Sequence, residues 1–230
     1  MNELILNSGY FGVVLSLLCY WGALKISARV KSTLCNPLLI AIIAIILFLI
    51  GFDIDYEVYN EGAQFISYLL TPATVCLAVP LYEQFELLKK NVTAVLAGIL
   101  AGVLTSATCV LVLCVLMKLG HEQYVTLLPK SITTAIGMVV SEELGGYATI
   151  TVAVIVVTGI FGYIMADFIL KIFRITDPIA KGVAIGTSSH AGGTARAMEL
   201  GEVEGAMSSL SIAVAGLTTV LVTMIYANFY

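Results

Sequence analysis

The amino-acid sequence predicts an all-α, polytopic integral membrane protein with about six full transmembrane helices and two re-entrant or broken helical segments forming an inverted repeat. Three observations lead there. Of the 230 residues, 60% are hydrophobic and only 11% charged, less than half the roughly 25% charged share usual in soluble domains. The charges fall in clusters separated by long uncharged runs. Two apolar segments too short to cross a bilayer resemble each other in sequence.

A soluble core of this size has no means of hiding so much apolar surface, so lipid is the natural solvent. The net charge of −4 is small and scattered, which argues against a nucleic-acid partner. The start, Met1-Asn2-Glu3, is acidic where a cleavable signal peptide is basic. The five cysteines form no CxxC pair or His/Cys cluster, and they read as small hydrophobes rather than metal ligands. No cofactor or metal is implied.

Placing a charge at the centre of a bilayer helix costs about 2.5–3.5 kcal/mol, so runs lacking Asp, Glu, Lys and Arg map what lies in lipid. Six are long enough to span: Leu4 to Leu24, Ser32 to Phe52, Gly62 to Tyr82, Val92 to Met117, Leu144 to Ala166 and Gly205 to Tyr230. Lipid leaves no partner for free backbone groups, so these are helices. Pro72 and Pro80 predict a kink or break in the third.

Charge bookkeeping sets the topology. Lys25, Arg29 and Lys31, then Lys89 and Lys90, then Lys171, Arg174 and Lys181 form basic clusters that the positive-inside rule assigns to the cytoplasm. The N-terminus is then outside. One short segment, Gln123 to Ser141 with Pro129 and Lys130, dips in from outside, and Gly182 to Gly201 dips in from the cytoplasm. The chain reads as a single domain, residues 1–230, with scaffold helices over 1–122 and the internal repeat over 123–230.

The repeat is visible in two stretches. TAIGMVVSEELG from Thr134 and TARAMELGEVEG from Thr194 share Thr, Ala, Met, Glu and Gly in register, and the same register pairs Lys130 with His190. Short broken segments in matching positions point to a transporter's binding site. Helix ends buried at midplane suit an anion. Lys130, His190 and Arg196 supply positive or potential charge. Ser131, Thr133, Thr134, Ser188, Ser189 and Thr194 supply hydroxyls, and Gly192 and Gly193 admit a ligand close to backbone. This is the chemistry of a small carboxylate site, with Arg196 able to fork a carboxylate.

Each residue also has a plainer reading. Lys130 snorkels to the interface, His190 is a buried neutral ring bonded to backbone, and Arg196 pairs with Glu199 or Glu202 one turn away. The hydroxyls tie neighbouring helices together. Pro72, with Thr74, is either structural or a third wall of the site. Gly98 and Gly102 form a GxxxG pair suited to close helix packing or a dimer face.

PKSITTAIG at Pro129, SSHAGGTARAMELGEVEGAMSSL at Ser188, TPATVCLAVPLYEQ at Thr71 and NPLL at Asn36 resemble the signature segments of the LrgB/CidB family across nearly the whole chain. The resemblance implies an antiholin- or holin-like bacterial inner-membrane protein linked to murein hydrolase control and lysis, working beside a small LrgA/CidA-type partner. It also implies transport of small monocarboxylates such as pyruvate, or glycolate and glycerate in plastid members. Ala135 departs from the pattern, standing where the family often has proline. The expected partners are the bilayer, a small carboxylate, an LrgA/CidA-type protein and a second copy in a homo-oligomer, a dimer. No HExxH, GxSxG or phosphate-binding loop is present, which speaks against an enzyme.

Overall fold

The computed structural model describes residues 9–30, 36–69, 72, 75, 76 and 78–230. The chain divides into two compact units, Met1–Cys76 and Leu77–Tyr230.

The first unit holds α1 (Phe11–Val30), α2 (Pro37–Gly51) and α3 (Tyr56–Ser67). Asn36 starts α2: its side chain accepts from the amides of Leu38 and Leu39, and Pro37 follows at the first helical position, where its missing N–H has no consequence. Asp55 caps α3 in the same way through Glu57 N. Helix α1 lies against both neighbours. Ser16 Oγ sits 2.8 Å from the Tyr59 hydroxyl.

The second unit contains α4 (Ala78–Glu83), α5 (Phe85–Met117), α6 (His121–Leu127), α7 (Thr134–Glu143), α8 (Ala148–Ile172), α9 (Pro178–Leu200), α10 (Glu202–Tyr226) and a 3-10 turn at Ala227–Phe229. Helix α5 has 33 residues, about 50 Å at 1.5 Å each, well beyond a hydrocarbon core of about 30 Å. Val95, Ile99, Val103, Ala107, Val110 and Cys114 are buried along one stripe of it, the three-and-four spacing of a helix face. They share one core with Met207, Ala215 and Val222 of α10 and with Tyr124, Val125 and Leu128. Leu96, Leu100 and Leu104 are exposed, which suits contact with lipid.

Among the described residues, α1, α5, α8 and α10 with its 3-10 extension are long and apolar enough to cross a membrane. That is four helices where the uncharged runs predict six. Helix α2 is apolar but has 15 residues, about 22 Å. The third run takes in the end of α3, which stops at Ser67, and most of α4, which starts at Ala78 and contains Pro80; Pro72, Val75 and Cys76 between them are also helical. The other helices pass beyond their runs: α1 carries Lys25 and Arg29, and α8 carries Asp167 and Lys171. A charge opposes burial in lipid, but it leaves the i→i−4 backbone bond intact.

The two short segments are hairpins. In the first, α6 and α7 flank a turn at Leu128–Thr133. Thr151 Oγ1 of α8 lies 2.9 Å from Thr126 O and 2.7 Å from Ser141 Oγ, so one hydroxyl touches both limbs. Tyr147 N donates to Thr126 Oγ1 at 2.8 Å. Outside the spans, the Tyr147 hydroxyl bonds to Glu122, which raises its pKa above the ordinary phenol value. In the second hairpin, α9 reverses at His190 (φ 43°, ψ −138°). Ile185 and Ala197 then fall in one buried cluster with Ala166 and Leu170. An unbroken helix would hold Ile185 and Ala197 about 18 Å apart. Each hairpin is followed by a long helix, α8 after the first and α10 after the second.

Candidate functional site

His190 forms the tip of the second hairpin and occupies backbone space that glycine favours at the start of a type II′ turn. Neighbouring contacts hold it there. Its ring is buried, with Nε2 3.0 Å from Ile155 O on α8; with a carbonyl as partner, Nε2 carries the hydrogen. Thr194 Oγ1 donates to His190 O at 2.8 Å and lies 2.7 Å from Ser208 Oγ of α10. The tip seats on a notch in α8. A Cβ at Gly162 would collide with the Ser189 side chain, and one at Gly192 would come 2.7 Å from the Gly159 Cα.

A cavity of about 730 Å³ lies between α5, the first limb of α9 and the turn of the first hairpin. The α5 wall includes Asn91, Gly98, Gly102, Thr105, Ser106 and Cys109. The turn brings Lys130 and Ser131, and α9 brings Thr187 and Ser188. The GxxxG pair packs within the chain: a Cβ at Gly98 would lie 3.3 Å from Val183 Cγ1, and one at Gly102 would lie 2.7 Å from Thr187 Cγ2. The two glycines let α9 approach α5 at the cavity wall.

Lys130 is the cation of this cavity. Its Nζ donates to Ser131 Oγ at 3.1 Å, and Ser131 Oγ lies 3.0 Å from Ser106 Oγ. The ion pairs among the described residues are Lys89–Glu86, Lys181–Glu204, Arg196–Asp167 and Arg196–Glu199. Lys130 has no carboxylate partner in that set. The acid on the cavity wall, Asp177, caps α9 through Ala180 N at 2.8 Å, about 16 Å along the helix from Ser188. An ammonium flanked by hydroxyls, with no counter-charge among the described residues, is chemically fit to receive a small anion.

The sequence-predicted residues therefore separate. Lys130, Ser131 and Ser188 line one cavity. Ser189 lies one residue deeper, with its Oγ 3.0 Å from Ser188 Oγ. His190, Gly192, Gly193 and Thr194 build and seat the hairpin tip instead of lining the cavity. Thr133 is the N-cap residue of α7 and Thr134 its first residue, on the far side of the turn from Lys130. Arg196 is engaged elsewhere: its terminal nitrogens bond to Asp167 of α8 and to Glu199, and Glu199 also accepts from the Tyr163 hydroxyl at 2.8 Å. This is the ion-pair reading of Arg196, with Asp167 as a second partner. Pro72 is exposed in the first unit, and Thr74 lies outside the described residues.

Sequence reasoning missed the α5 wall, Thr187 and Asp167. The α5 residues carry a faint signal: Asn91, Gly98 and Thr105 recur every seven residues, as do Gly102 and Cys109, marking one face with small or polar side chains. Asp167 is an acid placed directly after a long uncharged run.

Comparison with known proteins gives this chain its relations. Residues 16–229 match the model of the LrgB-like family. Similar proteins include the antiholin-like protein LrgB of Bacillus mycoides, of Bacillus cereus and of Bacillus anthracis. Each is 38% identical over 221 residues, covering 96% of this chain and 96% of the relative. No solved structure matches. With a family match over nearly its whole length and end-to-end relatives, the chain belongs to the LrgB family.

Proposed function

We propose that this chain acts as an antiholin-like regulator, restraining murein hydrolase activity and lysis from the bacterial cytoplasmic membrane together with a small LrgA/CidA-type partner. The observation that carries this reading is the end-to-end likeness to proteins named antiholin-like. The test is removal of the chain from the cell that makes it, with autolysis and secreted hydrolase activity followed. Both are expected to rise and to fall again on re-expression; levels unchanged by deletion would count against the reading.

A second reading is favoured by the cavity: transport of a small monocarboxylate, such as pyruvate or glycolate, between the two hairpins. It is supported by Lys130, which sits among Ser131, Ser106 and Ser188 without an acid partner among the described residues. The equivalent turn positions of Lys130 and His190 support an inverted repeat, with the hairpins entering from opposite faces towards midplane. On this reading the N-terminus is outside, and a labelled cysteine at Glu142 reacts from outside. Flux of carboxylate into proteoliposomes of purified protein is the test. Selective uptake is expected, and abolished by Lys130→Gln. Unselective dye leakage would point instead to a pore. The two readings are compatible when carboxylate flux feeds the control of lysis.

A further inference from the structure

We propose that the α5–α9 cavity is entered from one end alone, the cytoplasmic one, so that an anion reaches Lys130 from within the cell while a packed layer built on Tyr124 closes the outer side. The use of this route by a small carboxylate rests on the transport reading above; the route itself rests on the shape and chemistry of the cavity.

The cavity follows α5 from Asn91 to Cys109, about 27 Å at 1.5 Å per residue. Its first end is lined by Asn91, near the start of α5, and by Asp177, the exposed N-cap residue of α9. Its other end stops at Cys109, about 12 Å short of Met117, where α5 finishes. The next turns of α5 are closed. Val110 and Cys114 are buried in one core with Tyr124, Val125 and Leu128, and Cys114 is 1% exposed. The Tyr124 hydroxyl donates to Tyr226 O at 2.8 Å, so its polar atom is satisfied within the layer and gives water no foothold there. Between the two ends the exposed rim is carried by Ala94, Ala101, Ala180 and Ala184, whose methyl groups offer an ion no entrance from the side. Lys130 calls for water in its own right. It stands beside Ser131 and Ser106, well inside the α5 span, and an ammonium at that depth either meets an acid or faces a water-filled cavity. Lys130 has no acid partner among the described residues, and within the second unit the Asn91–Asp177 end is the route by which water reaches it. The chain around that end gives the side of the membrane. Lys89 and Lys90 directly precede Asn91, and Lys171 and Arg174 lead into Asp177. Basic residues flanking spans mark the cytoplasmic face, and acids count for little in that rule.

Two native cysteines bracket the boundary, Cys109 on the cavity wall and Cys114 inside the closing layer. The experiment uses two full-length proteins, one keeping Cys109 alone and one keeping Cys114 alone, with the other cysteines changed to alanine, in right-side-out and inside-out membrane vesicles. The probe is a membrane-impermeant anionic thiosulfonate, and modification is read by mass spectrometry. The thiolate is the reacting form, so the reaction reports water at the sulfur and not contact with lipid. Cys109 is expected to react in inside-out vesicles and to stay unmodified in right-side-out ones, and Cys114 to stay unmodified in both. Site-resolved mapping of the wild-type protein gives the same readout without any substitution, which keeps the test in force where an alanine variant fails to fold. Reaction of Cys109 from the outer side, its failure to react from the cytoplasmic side, or reaction of Cys114 in folded protein would overturn the proposal. Pyruvate is expected to slow the one-sided reaction of Cys109. A one-sided reaction that pyruvate leaves unaltered would count against the carboxylate reading and leave the route standing.

Discussion

Replacing Arg196 with alanine separates two accounts of that residue. In the structure its guanidinium bridges Asp167 on α8 and Glu199 on its own limb, with side-chain exposures of 23% for Arg196, 41% for Asp167 and 48% for Glu199. The acids are open enough for solvent to screen them, so each pair contributes about 0.5–1 kcal/mol and the two together about 1–2 kcal/mol. The Arg196 Nε is buried without a partner, which offsets part of this, so Arg196→Ala is expected to cost about 1–1.5 kcal/mol. Asp167→Asn loses one pair and is expected to cost about 0.5–1 kcal/mol. The double variant should cost less than the sum by about 0.5 kcal/mol or more, because both changes break the same bond. The assay is reversible thermal or denaturant unfolding in nanodiscs, with pyruvate binding measured on the same samples. Additivity within about 0.3 kcal/mol would refute the Arg196–Asp167 ion pair. A folded Arg196→Ala protein of wild-type stability that has lost pyruvate binding would return Arg196 to the ligand.

Three further outcomes follow from the same contacts. Gly162→Ala puts a methyl into the Ser189 side chain, and forcing the hairpin tip off α8 is expected to cost about 1–3 kcal/mol, seen as a lower unfolding temperature; no change would mean that the tip is not seated on that notch. Ser208→Ala removes the hydroxyl beside Thr194, 2.7 Å away, and is expected to cost about 1 kcal/mol without altering pyruvate affinity. Cys109 lines the cavity, so in a variant whose Cys19, Cys35, Cys76 and Cys114 are alanine, a charged thiosulfonate reagent is expected to stop carboxylate flux, and pyruvate should slow the reaction. Full modification by mass spectrometry with unaltered flux would remove Cys109 from the path.

Uncharged runs locate the membrane character of this chain well and its helix ends poorly, and the reason is physical. The runs record what lipid tolerates, whereas a helix ends where its backbone bonds end. Helix α8 therefore continues through Asp167 and Lys171 to Ile172, and α1 continues through Lys25 and Arg29 to Val30. Proline acts on the backbone itself, yet Pro80 lies inside α4 and Pro72 is helical, while several residues between α3 and α4 lie outside the described ones. The register that pairs Lys130 with His190 also points at backbone: each of the two lies in the turn of a hairpin. Local signals of this kind, a missing N–H or a run of small residues, are written in adjacent positions and are legible there.

The contents of the cavity are another matter, because they depend on partners far apart in the chain. Arg196 looks like a carboxylate fork in the sequence and meets Asp167, 29 residues away. Only the reversal at His190 brings the second limb of α9 back beside α8. His190 itself looks like a proton-handling group, and its ring is committed to Ile155 O, 35 residues away. Thr187 is the opposite case. Nothing in Gly186-Thr187-Ser188 sets it apart from the other hydroxyls of the segment, and its methyl faces Gly102 on a different helix. Polar residues in a membrane domain gain their meaning from whether the fold satisfies them. Arg196 is satisfied by acids at both terminal nitrogens, and His190 by a carbonyl. Lys130 has only a serine, and Thr187 has no partner for its hydroxyl among the described residues. Of these groups, Lys130 is the one that brings a charge to the cavity wall with no acid beside it among the described residues, and the carboxylate reading rests on that imbalance.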